Sequence, residues 1–180
     1  MMHNRPKVTL IAAMSIDGFI APFDKEKLPS TTWTSKEDWQ FFTKKSKEIG
    51  AMIMGSKTFE TIKRALPERR MIVMTSDPSR YAEFSDPSLE FTSAEPAEIL
   101  AQLHAIGTQE VALCGGAHIY ALFMQLDLVD ELLLTVEPYV FGEGIKLFSG
   151  QVERQFTLFD QQKINDSGTL VLHYQRIKKA

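Results

Sequence analysis

Short apolar runs alternate with segments of helical period from Val8 to Val136, and glycine or proline marks most of the junctions. This alternation constrains the fold more than any other feature of the chain. Brief, unbroken apolar runs read as strands buried on both faces, which requires helices above and below a largely parallel sheet. Strands are expected at residues 8–13, 51–54, 71–75, 110–114 and 132–136, with a shorter one at 89–91. Thr34 and Glu37 have the spacing of a capping box, opening a helix that runs to Ile49 and stops at Gly50. Further helices are expected at 57–62, from Pro96 to 106, and at 117–124. Beyond Gly150 the pattern changes to two longer strands, 156–163 and 169–177, joined around Asn165 and Gly168 as a hairpin. Strand–helix alternation with right-handed crossovers predicts an α/β fold with three α/β/α layers. Its sheet should be mixed but mostly parallel, ending in a C-terminal antiparallel hairpin.

Composition narrows what such a chain does. With 180 residues, 44% hydrophobic and 24% charged, it has the make-up of an ordinary globular protein, and 1–180 reads as a single domain. A net charge of −3 argues against nucleic acid as partner. Cys114 is the one cysteine, so neither an intramolecular disulfide nor a cysteine metal cluster can form. His3, His104, His118 and His173 lack metal-ligand spacing, and no metal is expected. The apolar run at 8–13 is too short for a membrane span and no long apolar leader precedes it. The expectation is a cytoplasmic protein with no membrane partner.

In open α/β sheets, ligands bind beyond the carboxyl ends of the strands. Met54-Gly55-Ser56-Lys57-Thr58 turns from a strand into a helix there. Its backbone N–H groups, hydroxyls and lysine suit a phosphate, and an ordinary tight connection fits equally. Cys114-Gly115-Gly116-Ala117-His118 is a second such turn, in which adjacent glycines permit either close approach by a ligand or simply a positive φ. Both turns would open on the same rim, as an extended dinucleotide requires. Thr75 and Ser76 close a third strand end, where hydroxyls could meet a ribose or its phosphate, or merely form a turn before Pro78. Asp38 shares a helix side with Phe41 and Phe42. Against apolar walls its carboxyl would hold a proton near neutrality; in water it would only complement the helix start.

In order and spacing, these segments resemble the dihydrofolate reductase-like superfamily. The opening Val-Thr-Leu-Ile-Ala-Ala-Met-Ser-Ile-Asp-Gly-Phe, the Cys-Gly-Gly turn and the Leu-Thr-Val-Glu-Pro segment at 134–138 are similar to the C-terminal reductase domain of the bacterial bifunctional deaminase-reductase of riboflavin biosynthesis. The middle, from Ile53 through Leu66-Pro-Glu-Arg-Arg, is similar to dihydrofolate reductase itself. The resemblance implies a dihydrofolate reductase-like fold and NADPH as cofactor. It assigns Gly55, Ser56, Lys57 and Thr58 to the cofactor phosphates and Thr75 and Ser76 to the edge near the adenosine 2′-phosphate. Gly115, Gly116, Ala117, His118 and Ile119 fall to the pyrophosphate and nicotinamide side, with Ala13 and Ile20 beside the nicotinamide. Asp38 matches the acid that binds the heterocycle, Thr135 the threonine bonded to that acid, and Arg69 the arginine that grips a substrate anion. Trp33 and Phe42 complete the substrate side. The implied activity is hydride transfer to a small pyrimidine- or pterin-like substrate. The ribosylaminouracil intermediate of riboflavin synthesis leads, dihydrofolate is the alternative, and a non-catalytic nucleotide-binding protein is a third reading. A homodimer is implied as well.

Overall fold

Side chains of a strand point alternately to its two faces, and in this chain the alternation sorts the apolar residues into two cores. The computed structural model describes residues 5–23 and 32–177. Residues 1–4, most of the loop expected at 21–33 (24–31) and the terminal 178–180 lie outside the described residues. Val8, Leu10 and Ala12 of β1 (Lys7–Ser15) face one core, together with Ala51 and Ile53 of β3 (Ala51–Gly55). Ile11, Met52 and Met54 face the other. Helices α3 (Pro96–Ala105) and α4 (Ala117–Gln125) cover the first core through Leu100, Leu103 and Phe123. The second is covered by α1 (Lys36–Ile49) and by α2 (Ser56–Phe59), whose Phe59 is fully buried.

The sheet has eight strands in the order β5-β4-β3-β6-β1-β7-β10-β9. The remaining members are β4 (Arg70–Met74), β5 (Leu89–Thr92), β6 (Glu110–Leu113), β7 (Glu131–Glu137), β9 (Phe156–Lys163) and β10 (Leu170–Arg176). β1 pairs in parallel with β6 and β7, β3 with β4 and β6, and β4 with β5. The two antiparallel pairings, β7 with β10 and β10 with β9, build the expected hairpin onto one edge. The chain leaves β1, enters the sheet again at β3, works outward to β5, and then returns to lay β6 between β3 and β1. That reversal opens a crevice beyond the carboxyl ends of β1, β3 and β6, where such sheets bind ligands.

Local signals set most boundaries to within a residue or two, and tertiary contacts move the others. The N-cap of α1 is Ser35, not Thr34, and its hydroxyl accepts from the Asp38 N–H at 3.2 Å. Helix α2 ends at Phe59 instead of 62, closed by the Lys63 N–H donating to the Phe59 carbonyl at 2.8 Å, with Lys63 at φ 50°. A 3-10 turn at Pro78–Tyr81 carries Tyr81 into the second core. A small separate ladder joins β2 (Phe19–Ala21) to β8 (Ile145–Lys146). No described helix is long and apolar enough to cross a membrane.

Phe59 meets Tyr81, Phe84 and Phe91 edge-on, at centroid distances of 5.9, 5.0 and 5.0 Å. This cluster ties α2, and so the turn that precedes it, to the outer strands. Phe59→Ala should therefore lower unfolding free energy by about 3–5 kcal/mol in chemical denaturation, the range for emptying a buried aromatic site. A loss below about 1 kcal/mol would contradict that role.

Candidate active site

Because β3 and β6 run in parallel, their glycine turns emerge side by side. The Gly55 N–H donates to the Gly115 carbonyl at 2.8 Å. A Cβ on Gly55 would lie 2.9 Å from Ile119 Cγ1. One on Gly115, at φ +119°, would lie 3.3 Å from Thr58 Oγ1. Hydrogen at both positions is what lets the two backbones approach while leaving the floor of the crevice open. The Gly115–Gly116 peptide bond is cis. Gly55 and Gly116 are the N-caps of α2 and α4, and neither helix start has a side-chain cap. Backbone donors at both turns are thus left for a ligand.

The crevice encloses about 1190 Å³. That exceeds the roughly 300–1,000 Å³ of a site for one drug-sized molecule. Its walls bring together Ala13 and Ile20, Gly55, Ser56, Lys57 and Thr58, Thr75 and Ser76, and Gly115, Gly116, Ala117, His118 and Ile119. Trp33, Asp38 and Phe42 line it too. The segments named from sequence for the cofactor and for the ring of the substrate therefore share one cleft.

Asp38 stands on the buried stripe of α1, in line with Phe42 and Ser46, and is 8% exposed. Thr135 lies behind it on β7, on the face shared with Leu133 that looks toward α1. Burial raises the Asp38 carboxyl above its ordinary value, opposed by hydrogen bonds from Thr135 and Thr34 and assisted by the negative charge of Glu137. Trp39 and Phe42 flank the acid, with ring centroids 6.0 Å apart. Trp33 packs edge-on against Phe141 at 5.1 Å, and its buried indole N–H has no acceptor among the described residues. Cys114 also lines the cleft, but burial pushes its thiol up to about 12, which makes it a poor nucleophile.

Arg69 departs from expectation. It is 6% exposed and does not line the cleft. Its Nε donates to the Pro67 carbonyl at 3.0 Å and its Nη1 to Ser46 Oγ at 2.9 Å. Ser46 in turn donates to the Phe42 carbonyl at 2.7 Å, so Arg69 buttresses α1 beneath the substrate side instead of presenting an open fork. An arginine that does line the cleft, alongside Lys57, is Arg64 in the turn after α2, joined by Ser93 and Glu95 just past the end of β5. Sequence reasoning passed over these. The signal for Ser93 and Glu95 was available, since β5 is parallel to β4 and ends on the same rim as Thr75. Arg64 had none, because α2 was expected to extend to residue 62.

An acid whose folded value lies above its unfolded one destabilises the protein once the unfolded chain is ionised. The cost is absent below the ordinary value of 3.8, grows as pH rises through the raised folded value, and is complete above it. Asp38→Asn should thus be more stable than the wild type at neutral pH. The difference should vanish in denaturation measurements below the ordinary carboxyl value. Equal stability at both pH values would mean the acid is solvated.

The family model for dihydrofolate reductase matches residues 7–177. The Bacillus subtilis protein YwjB is 28% identical over 94% of this chain and 98% of its own length. Dihydrofolate reductase of Staphylococcus haemolyticus is 32% identical over 79% of this chain and 76% of its own. Among solved structures, the fold matches a diaminohydroxyphosphoribosylaminopyrimidine deaminase/5-amino-6-(5-phosphoribosylamino)uracil reductase from Thermotoga maritima, with a TM-score of 0.72 and 17% identity. That match covers 96% of this chain and 57% of the other, so the chain spans little more than half of that two-activity protein.

Proposed function

Because the chain belongs to the dihydrofolate reductase family, a family of reductases, we propose that it reduces a pterin- or pyrimidine-like heterocycle with NADPH. The observation that carries this reading is the meeting of two uncapped glycine turns and one buried carboxyl in a single cleft. NADPH would lie along the turns at Gly55 and Gly115, whose close packing against Ile119 and Thr58 leaves no room for a side chain. The N–H groups of Ser56–Thr58 and Ala117–Ile119 would hold its pyrophosphate, Lys57 would offset its charge, and Thr75 and Ser76 would meet the adenosine end. When bound, the dinucleotide supplies the hydride.

Every other element of the reaction belongs to this chain. Trp39 and Phe42 offer an aromatic wall to a flat ring, and Asp38 binds the ring's N–H and amino edge. Thr135 holds the acid in place from behind. Burial raises the Asp38 carboxyl above its ordinary value, which favours passing a proton toward the ring as it is reduced, a contribution typically worth about 10²–10⁴-fold. Confining both reactants in one cleft adds the advantage of orientation.

Two substrates divide the family, and the site bears on both. The acid and aromatic wall suit the aminopterin edge of dihydrofolate. Arg64 at the rim suits the phosphate of a ribosylaminouracil. Pairing of two copies, as the riboflavin-type resemblance implies, would be detected by light scattering at micromolar concentration. The reducing cytoplasm suits a chain with a lone, half-buried thiol.

The test follows the absorbance of reduced nicotinamide with each candidate heterocycle. The wild type should consume NADPH with at least one of them. Asp38→Asn should lower kcat by about 10²–10⁴-fold while leaving NADPH affinity nearly unchanged. Tight NADPH binding without turnover of any heterocycle would instead favour a nucleotide-binding protein that performs no reduction.

A further inference from the structure

Glu137 ends β7 with its side chain buried, 4% exposed, and its carboxylate accepts three hydrogen bonds from described residues. Ser35 gives two, from its backbone N–H at 2.7 Å and its hydroxyl at 2.8 Å. The Thr169 hydroxyl gives the third at 2.6 Å. Ser35 is the N-cap of α1, and the same hydroxyl accepts from the Asp38 N–H. Thr169 is itself fully buried and tied by its N–H to Asn165 Oδ1 at 2.9 Å, in the turn of the β9–β10 hairpin. The Asn165 amide also reaches Glu37 on α1, at 3.4 Å. A polar chain therefore runs from the hairpin turn through Thr169, Glu137 and Ser35 to the first turn of α1, where Asp38 sits.

A lone carboxylate beneath a helix start would be a costly structural device if capping were its whole purpose, since the Ser35 hydroxyl already caps α1. We infer that Glu137 is a positioning residue for Asp38, fixing the turn that carries the acid and setting a second carboxylate beside it. This rests on the reductase reading for its functional meaning, and on the hydrogen bonds for its geometry. Thr135 and Glu137 occupy the same face of β7, so one strand supplies both the hydroxyl that steadies the acid and the charge that opposes its ionisation. The other groups around Asp38 are Thr34 and Glu37 on its own segment, Cys114 just past the end of β6 and the Tyr120 hydroxyl of α4, which is spent on the Ile11 carbonyl at 2.7 Å. The Arg69 guanidinium, lying toward Cys114, is spent on Ser46 and Pro67. Glu137 is thus the acidic neighbour that both anchors the Asp38 turn and acts on its charge.

Two variants separate position from charge. Glu137→Gln keeps an acceptor for Ser35 and a partner for Thr169 but removes the negative charge. Glu137→Asp keeps the charge but draws it back from Ser35. The deciding readout is the titration of the Asp38 carboxyl by carbon-13 NMR in the protein without substrate, assigned against Asp38→Asn. Loss of a like charge favours the ionised form, so Asp38 should titrate at lower pH in Glu137→Gln. The pH limb of kcat/KM governed by the protonated acid should move the same way. Glu137→Asp should lower kcat by about 10–10²-fold, the size of effect a small misplacement produces, with KM for NADPH unchanged. A displaced Asp38 titration in either variant supports the inference. Titration at the wild-type pH in both, whatever happens to Tm, overturns it. Should the wild type reduce no heterocycle, the reductase reading fails by itself, and the NMR titration still decides the part played by Glu137.

Discussion

The hydrogen bond from the Gly55 N–H to the Gly115 carbonyl, 2.8 Å long, joins the carboxyl ends of β3 and β6 and sets the width of the crevice between them. It exists because β6 returns late in the chain to fill the slot left between β1 and β3. Strand order, parallel register and the absence of side chains at two positions converge on that contact. With a Cβ at Gly55 the Ile119 side chain would have to move, and at Gly115 the backbone would be strained. The helix starts that face the crevice inherit their positions from the same two turns. The site is thus a consequence of how the sheet is wound, with few side chains needed to create it.

A second constraint is the burial of acid groups under α1. Asp38 and Glu137 are both nearly inaccessible, and both accept hydrogen bonds from hydroxyls that the fold brings to them. Burying carboxyls this way works against stability. Proteins retain buried ionisable groups of this kind where a site makes use of them. The cores on either face of the sheet supply the excess stability that tolerates it. The aromatic cluster around Phe59 is part of that reserve.

Much of this was legible in residue order. Unbroken apolar runs announced a sheet covered on both faces, and the two cores follow the parity of those runs residue by residue. The glycine turns could be placed on one rim because parallel strands end on the same side. Asp38 could be set beside aromatic rings because Phe41 and Phe42 follow it at helical spacing, while its burial came only with the fold. What sequence hid was decided by contacts between distant segments. The cap of α1 shifted to Ser35 because Glu137, at the far end of β7, accepts from it. Arg69 matched a substrate-gripping arginine by neighbouring residues, yet Ser46 and the Pro67 carbonyl take its donors. The β2–β8 ladder pairs strands too short to show a period.

Titrating the isotopically labelled protein with NADPH, followed through its backbone amide resonances, shows whether the dinucleotide lies along the two glycine turns. The account predicts that the largest shifts fall on Gly55–Thr58 and Gly115–Ile119, reach Thr75 and Ser76, and leave the β9–β10 hairpin unmoved. Shifts centred on the hairpin, or none at millimolar nucleotide, would contradict it.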